Sequence, residues 1–170
     1  MVRGINMADI PDVATVALPG ATIPDLFEVV RGWVEDPMIR TVSVLIGTND
    51  IGHRSAPGIF EIVSWYRELI DVLCDRFPSA RITGINVLPR GDRPELAERI
   101  MRFNSLIFDM CSDGFRADRD FGVFGCMRDF LNPWCRCVDR RLFGRGLLHL
   151  SANGKAKLVD ILKFLINSAQ

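Results

Sequence analysis

Residues 41–50 read TVSVLIGTND. The first six of these, Thr41 to Ile46, are β-favouring and almost continuously apolar, without the alternation of a strand that has one face in water. A strand of that kind is covered on both faces, as the strands of a parallel sheet are. The Gly47-Thr48-Asn49-Asp50 turn then ends it. Working outward, Arg81 to Leu88 (RITGINVL) repeats the pattern, Val13 to Leu18 is a third candidate strand, and Asp120 to Phe124 is a weaker fourth. Helical segments lie between them. Ile23 to Glu35 has Pro24 near its start, and Gly58 to Phe77 places Ile59, Ile62, Val63, Tyr66, Ile70 and Leu73 at helical spacing. Pro94 to Cys111 opens on a proline, and Ser151 to Ser168 follows a Ser151 cap. The expected order is β-α-β-α-β-α-(β)-α, an α/β chain with a parallel sheet and helices on both faces.

The 170 residues suit a single domain, 1–170. With 48% hydrophobic and 25% charged residues, the composition is that of a globular chain rather than a disordered or fibrous one. No apolar run approaches membrane-spanning length, and the first residues lack a secretory pattern, so an intracellular, cytoplasmic location without membrane association is expected. Twenty-one basic residues balance twenty-one acidic ones, which excludes a global field for nucleic acid but leaves room for a local patch. Eighteen of the basic residues are Arg, the better residue for bidentate contacts. Cys74, Cys111, Cys126, Cys135 and Cys137 are odd in number and irregularly spaced, which predicts reduced, buried or half-buried thiols, with no metal site and no cofactor.

In an open parallel sheet, ligands bind beyond the carboxyl ends of the strands. The segments to inspect are therefore Pro19-Gly20-Ala21-Thr22, Gly47-Thr48-Asn49-Asp50, and the run from Leu147 to Gly154 before the last helix. Gly20 can offer a backbone N–H from a tight turn, and Asn49 a side-chain amide; donors so placed stabilise a developing oxyanion. His149 can serve as a base for a hydroxyl nucleophile. Thr48, Asp50 and Ser151 are expected to line the same crevice. His53 follows closely and reads as a loop residue with no special task.

This set of turns resembles the SGNH (GDSL-type) hydrolases, a family of ester-cleaving enzymes with a flavodoxin-like, three-layer fold. The family's strand ending in Gly-x-Asn-Asp is similar to VSVLIGTND, its glycine block to VALPGATIPDL, and its terminal Asp-x-x-His block to GLLHLSANG. The similarity runs from about Val13 to the C-terminus. It implies Gly20 and Asn49 as oxyanion donors, His149 as the base, and a small ester or acyl substrate.

Two of the family's parts are missing. No Gly-Asp-Ser occurs, so the serine nucleophile is absent, and neither does a Gly-x-Ser-x-Gly elbow replace it. The position three before His149 is Gly146 instead of Asp; Asp139 is the nearest upstream carboxylate. Loss of an orienting carboxylate lowers turnover by about 10³ to 10⁴. The resemblance thus implies a degenerate esterase domain, inactive or very weak, with the family's first, central strand missing. MVRGINMADIPDVATVALPGA resembles the stretch that follows Gly-Asp-Ser, a helix opening and then a strand, and the expectation is that the natural polypeptide starts upstream of Met1. A non-catalytic alternative is binding of RNA, as in the similar C-terminal domain of the Oskar type, with Arg140, Arg141 and Arg145 as contacts in an Arg- and aromatic-rich stretch. Binding of a protein partner along the sheet edge left by the missing strand is another.

Overall fold

The computed structural model describes residues 13–53, 55, 57–113 and 120–167, with Ser112 described through its backbone alone. The expected helix opening within residues 1–12, together with Ser168, the expected end of the last helix, lies outside them. Three short parallel strands form the sheet: β1 (Thr41–Val44), β2 (Arg81–Ile85) and β3 (Phe121–Phe124), in the order β1-β2-β3. Thr41 is paired with Arg81 and Val44 with Gly84, then Ile82 with Phe121 and Ile85 with Phe124. β1 and β2 stop two or three residues before their apolar runs do, because the last residues turn into the loops at the carboxyl end, whereas β3 ends with its run at Phe124.

Helix α1 (Ile23–Arg31) begins with a capping box in which the Thr22 hydroxyl accepts from the Asp25 N–H and the Asp25 carboxylate accepts from the Thr22 N–H. Pro24 sits in its first turn, where a missing N–H is harmless. Next come the short α2 (Thr48–Gly52), the long α3 (Ile59–Arg76), and α4 (Ala97–Ser112), which is preceded by a 3₁₀ turn at Pro94–Leu96. A second 3₁₀ turn spans Met127–Phe130, and α5 (Ala152–Asn167) is the last helix described.

Side chains leave a strand alternately to its two faces, and here both faces are covered. Val42, Val44, Ile82, Phe121 and Val123 pack with Ile23 and Val30 of α1, Ile62, Leu69 and Ile70 of α3, and Ile100, Phe103 and Ile107 of α4. Leu45, Ile85 and Phe124 pack with Leu158, Ile161, Leu162 and Leu165 of α5, and with Phe130, Phe143 and Leu150 from the segment before it. A fully buried side chain among these, such as Ile23, Ile62 or Phe103, contributes about 1.5–3 kcal/mol. The result is the expected three-layer α/β sandwich. No described helix is long and apolar enough to cross a membrane.

Two expectations need correction. Val13 to Leu18 is not a strand: these residues run without regular structure, and Val16 is 60% exposed. A strand exists through its ladder of hydrogen bonds, and no described strand lies beyond β1 to pair with it. The thiols are not all reduced either, since Cys135 and Cys137 are joined as a disulfide on an exposed loop. A tight turn brings their Cα atoms to 5.3 Å, within bridging range. Cys74 and Cys126 carry buried thiols and Cys111 a half-buried one.

Candidate active site

The candidate residues stand on the turn after β1, the loop after β2, the Gly20 loop that leads into α1, and the loop before α5. After β1 the chain reverses at Gly47, whose φ of +112° only glycine adopts without strain. A Cβ there would also press on Val87 and Phe103, at 3.2 and 3.3 Å. The turn leads directly into α2, which presents Thr48, Asn49 and Asp50.

Asn49 and Asp50 hold the Gly20 loop. The Asn49 amide Nδ2 donates to the Ala21 carbonyl at 2.8 Å. The Asp50 carboxylate accepts the Ile23 N–H with both oxygens, at 3.0 and 3.2 Å, satisfying an open donor at the start of α1. Asp50 is 3% exposed, and burial raises its pKa above the ordinary 3.8, with the Ile23 N–H acting in the opposite direction. Gly20 itself has a φ of +84°. The structure therefore fastens Asn49 to Ala21, the residue that follows Gly20, with Asp50 turned inward as the fastening of α1. His53 closes α2, its Nδ1 accepting from the Ser55 N–H at 3.2 Å.

The loop after β2 ties this corner to the rest. Arg90 makes a two-point pair with Asp92, at 3.0 and 2.6 Å, and its Nη1 reaches the Thr48 carbonyl at 3.5 Å. That pairing holds the Asp92 carboxyl below the usual carboxylate range. Arg93 donates to the Gly52 carbonyl at 2.8 Å. At the base of the loop Asn104, buried in α4, binds both backbone groups of Val87 at 2.9 Å. On its far side, the Gly91 N–H donates to the Leu147 carbonyl at 3.0 Å.

Leu147 belongs to the loop of His149. That loop is closed by the Gly144 N–H to the His149 carbonyl at 2.8 Å, by a bridge between Phe143 and Leu150, and by a left-handed Leu147, φ 51°. Ser151 caps α5 as expected: its Oγ accepts from Gly154 N–H at 3.2 Å and donates to the Arg141 carbonyl at 2.7 Å. The His149 side chain is exposed, and among the described residues no carboxylate bonds it. Asp139 is held elsewhere. Its oxygens accept from Arg141 Nε and Nη2, at 3.0 and 2.7 Å, and from the Arg141 N–H at 3.0 Å, which lowers its pKa. Arg140 and Arg145 instead line an open depression of about 490 Å³ with Phe143, Gly144 and Leu147.

Sequence reasoning missed Arg90, Arg93 and Asn104. Asn104 had a signal, since it interrupts the apolar face defined by Ile100, Phe103 and Ile107. A buried Asn on such a face needs partners, and strand-end backbone supplies them. Arg90 and Arg93 stand in a segment whose Pro and Gly content announces only a loop.

The fold is that of the SGNH (GDSL-type) hydrolases, a parallel α/β sandwich with its loops gathered at the carboxyl edge. No family model matches the chain. It is similar to platelet-activating factor acetylhydrolase IB subunit alpha1 of Pongo abelii, 29% identical over 83 residues, 48% of this chain. The matched stretch spans about a third of that protein's length, 34%. Among solved structures it is similar to a GDSL-like lipase from Bacteroides thetaiotaomicron, with a TM-score of 0.68, 15% identity, and coverage of 89% of this chain and 73% of the other. It is equally similar to the OSK domain of Drosophila Oskar, with a TM-score of 0.68, 20% identity, and coverage of 85% and 70%.

Proposed function

We propose that this chain carries an SGNH-type acyl-ester site in which Gly20 and Asn49 serve as oxyanion donors and His149 as the base, and that its 170 residues alone turn over ester slowly or not at all. The observation that carries the reading is the 2.8 Å bond from Asn49 to the Ala21 carbonyl, which joins the two donor loops at one corner of the sheet. Donors fixed by the protein before reaction are what stabilises an acyl oxyanion. The chemistry fails for want of a hydroxyl: no Gly-Asp-Ser is present. The acid that would orient His149 is missing as well, Gly146 standing in its place and Asp139 being engaged by Arg141.

An aryl-acetate assay on the 170-residue chain tests this. Hydrolysis should lie at or barely above the buffer rate and that of the His149→Ala variant. Turnover many-fold above the buffer rate that vanishes in His149→Ala would overturn the reading, because it requires a working nucleophile.

A second reading is favoured by the arginines of the depression. Arg140 and Arg145 share an open concavity with Phe143 and Leu147, the combination of cation and apolar wall that suits a single-stranded RNA. The similarity to the OSK domain fits a non-catalytic use of this fold.

A further inference from the structure

Between β3 and α5 lies a small loop that the acyl-ester reading does not use. Leu131 and Val138 bridge in antiparallel fashion. Above them Asn132 N–H donates to the Cys137 carbonyl at 2.7 Å, Arg136 N–H donates to the Asn132 carbonyl at 2.9 Å, and Asn132 Oδ1 accepts from Trp134 N–H at 2.9 Å. The tip of this turn carries the disulfide between Cys135 and Cys137, two positions apart. Both cysteines are exposed, Trp134 beside them is 93% exposed, and Arg136 between them has a left-handed φ of 53°.

A cross-link stabilises mainly by closing a loop in the unfolded chain, and the gain grows with loop length. This one encloses a single residue, so it does little for the fold. It does, however, stand at an exposed loop tip where an external thiol can reach both cysteines. We propose that Cys135 and Cys137 form a reversible dithiol–disulfide centre that exchanges with thiols of the glutathione class. An external thiolate attacks one sulfur, the S–S bond breaks, and its electron pair leaves on the other sulfur, which takes a proton from water. A second external thiol attacks the mixed disulfide and releases the first cysteine. Two external thiols are thereby oxidised to a disulfide, and the Cys135–Cys137 disulfide is reduced to two thiols. With an external disulfide in excess the same steps run backward.

The test equilibrates the full chain with mixtures of reduced and oxidised glutathione, quenches with acid, alkylates and maps the peptides. Cys135 and Cys137 should pass from blocked to alkylated together, in one two-electron transition that follows the mixture. Trypsin should cut after Arg136 about tenfold faster in the reduced form, since the disulfide holds that residue in a turn that a protease cannot accept as an extended strand. In Cys137→Ala, Cys135 should accumulate a mixed disulfide with glutathione that the wild-type chain resolves. The proposal is overturned if the pair stays as thiols in the most oxidising mixture, if it stays bonded in the most reducing one, or if the wild-type chain accumulates the mixed disulfide as readily as Cys137→Ala.

Discussion

Asp50 shows how a residue beside a predicted oxyanion donor can have a purely mechanical task. Its carboxylate is buried and fastens the first N–H of α1 from 27 positions away in sequence. Burial, reinforced by the charge of Asp25, makes ionisation harder in the fold than in the unfolded chain, where an Asp titrates near 3.8. Between the two values the folded state binds more protons than the unfolded one, so this residue lowers stability as pH rises through that window and leaves it flat above. Asp92 and Asp139, lowered by their arginines, act in the opposite sense at lower pH. Asp50→Asn keeps an acceptor for the Ile23 N–H and has no proton to lose. Urea midpoints along a pH series from the ordinary carboxylate value toward neutrality should show the variant gaining on the wild type as pH rises. Parallel profiles would mean that the carboxyl ionises in the fold as easily as outside it. That Asp50 turns inward was not legible in the sequence, because the Gly-Thr-Asn-Asp turn puts both polar side chains at a strand end without saying which one faces α1.

At the scale of elements, what was legible depended on whether an element carries its own periodicity. The amphipathic spacing of α3 and α4 is local: α3 forms within a residue of expectation at each end, and α4 ends within one but starts three residues late, after the 3₁₀ turn at Pro94–Leu96. The strands β1 and β2 were legible through their doubly apolar runs. Val13 to Leu18 has the same composition yet stays irregular, since a strand needs a neighbour that no local signal can supply. The contact between α3 and β2 shows how closely two elements can be matched. Tyr66 is fully buried, its ring meets Phe103 edge-on at 5.7 Å, and its hydroxyl occupies the space that a Cβ on Gly84 would need. Gly84 is thus the partner of that hydroxyl, which has no hydrogen-bond acceptor among the described residues. Tyr66→Phe should stabilise the fold by about 1 kcal/mol by removing a buried group left unpaired. Gly84→Ala should cost about 2–3 kcal/mol in the wild-type chain and at least 1 kcal/mol less in Tyr66→Phe, a coupling that denaturant midpoints of the four proteins measure. Additive effects would show that the hydroxyl moves aside freely.

For the molecule as a whole, charge decides between the two functional readings. Basic and acidic residues cancel, so the chain as a unit does not attract a polyanion, and any affinity for RNA has to come from a local arrangement. The sequence offered Arg140, Arg141 and Arg145 as equals. The fold separates them: Arg141 has its guanidinium on Asp139, while Arg140 and Arg145 face one open depression. If RNA binds there, those two form the phosphate contacts and Arg141 contributes little. Binding of a single-stranded oligonucleotide, followed by fluorescence anisotropy across a salt series, should weaken at least tenfold in the Arg140→Glu/Arg145→Glu double variant. The slope of log affinity against log salt should fall by about 1.4, the expectation for two lost contacts to a single strand. Arg141→Gln should leave the slope near the wild-type value. A double variant that binds as the wild type does would remove the depression as an RNA site.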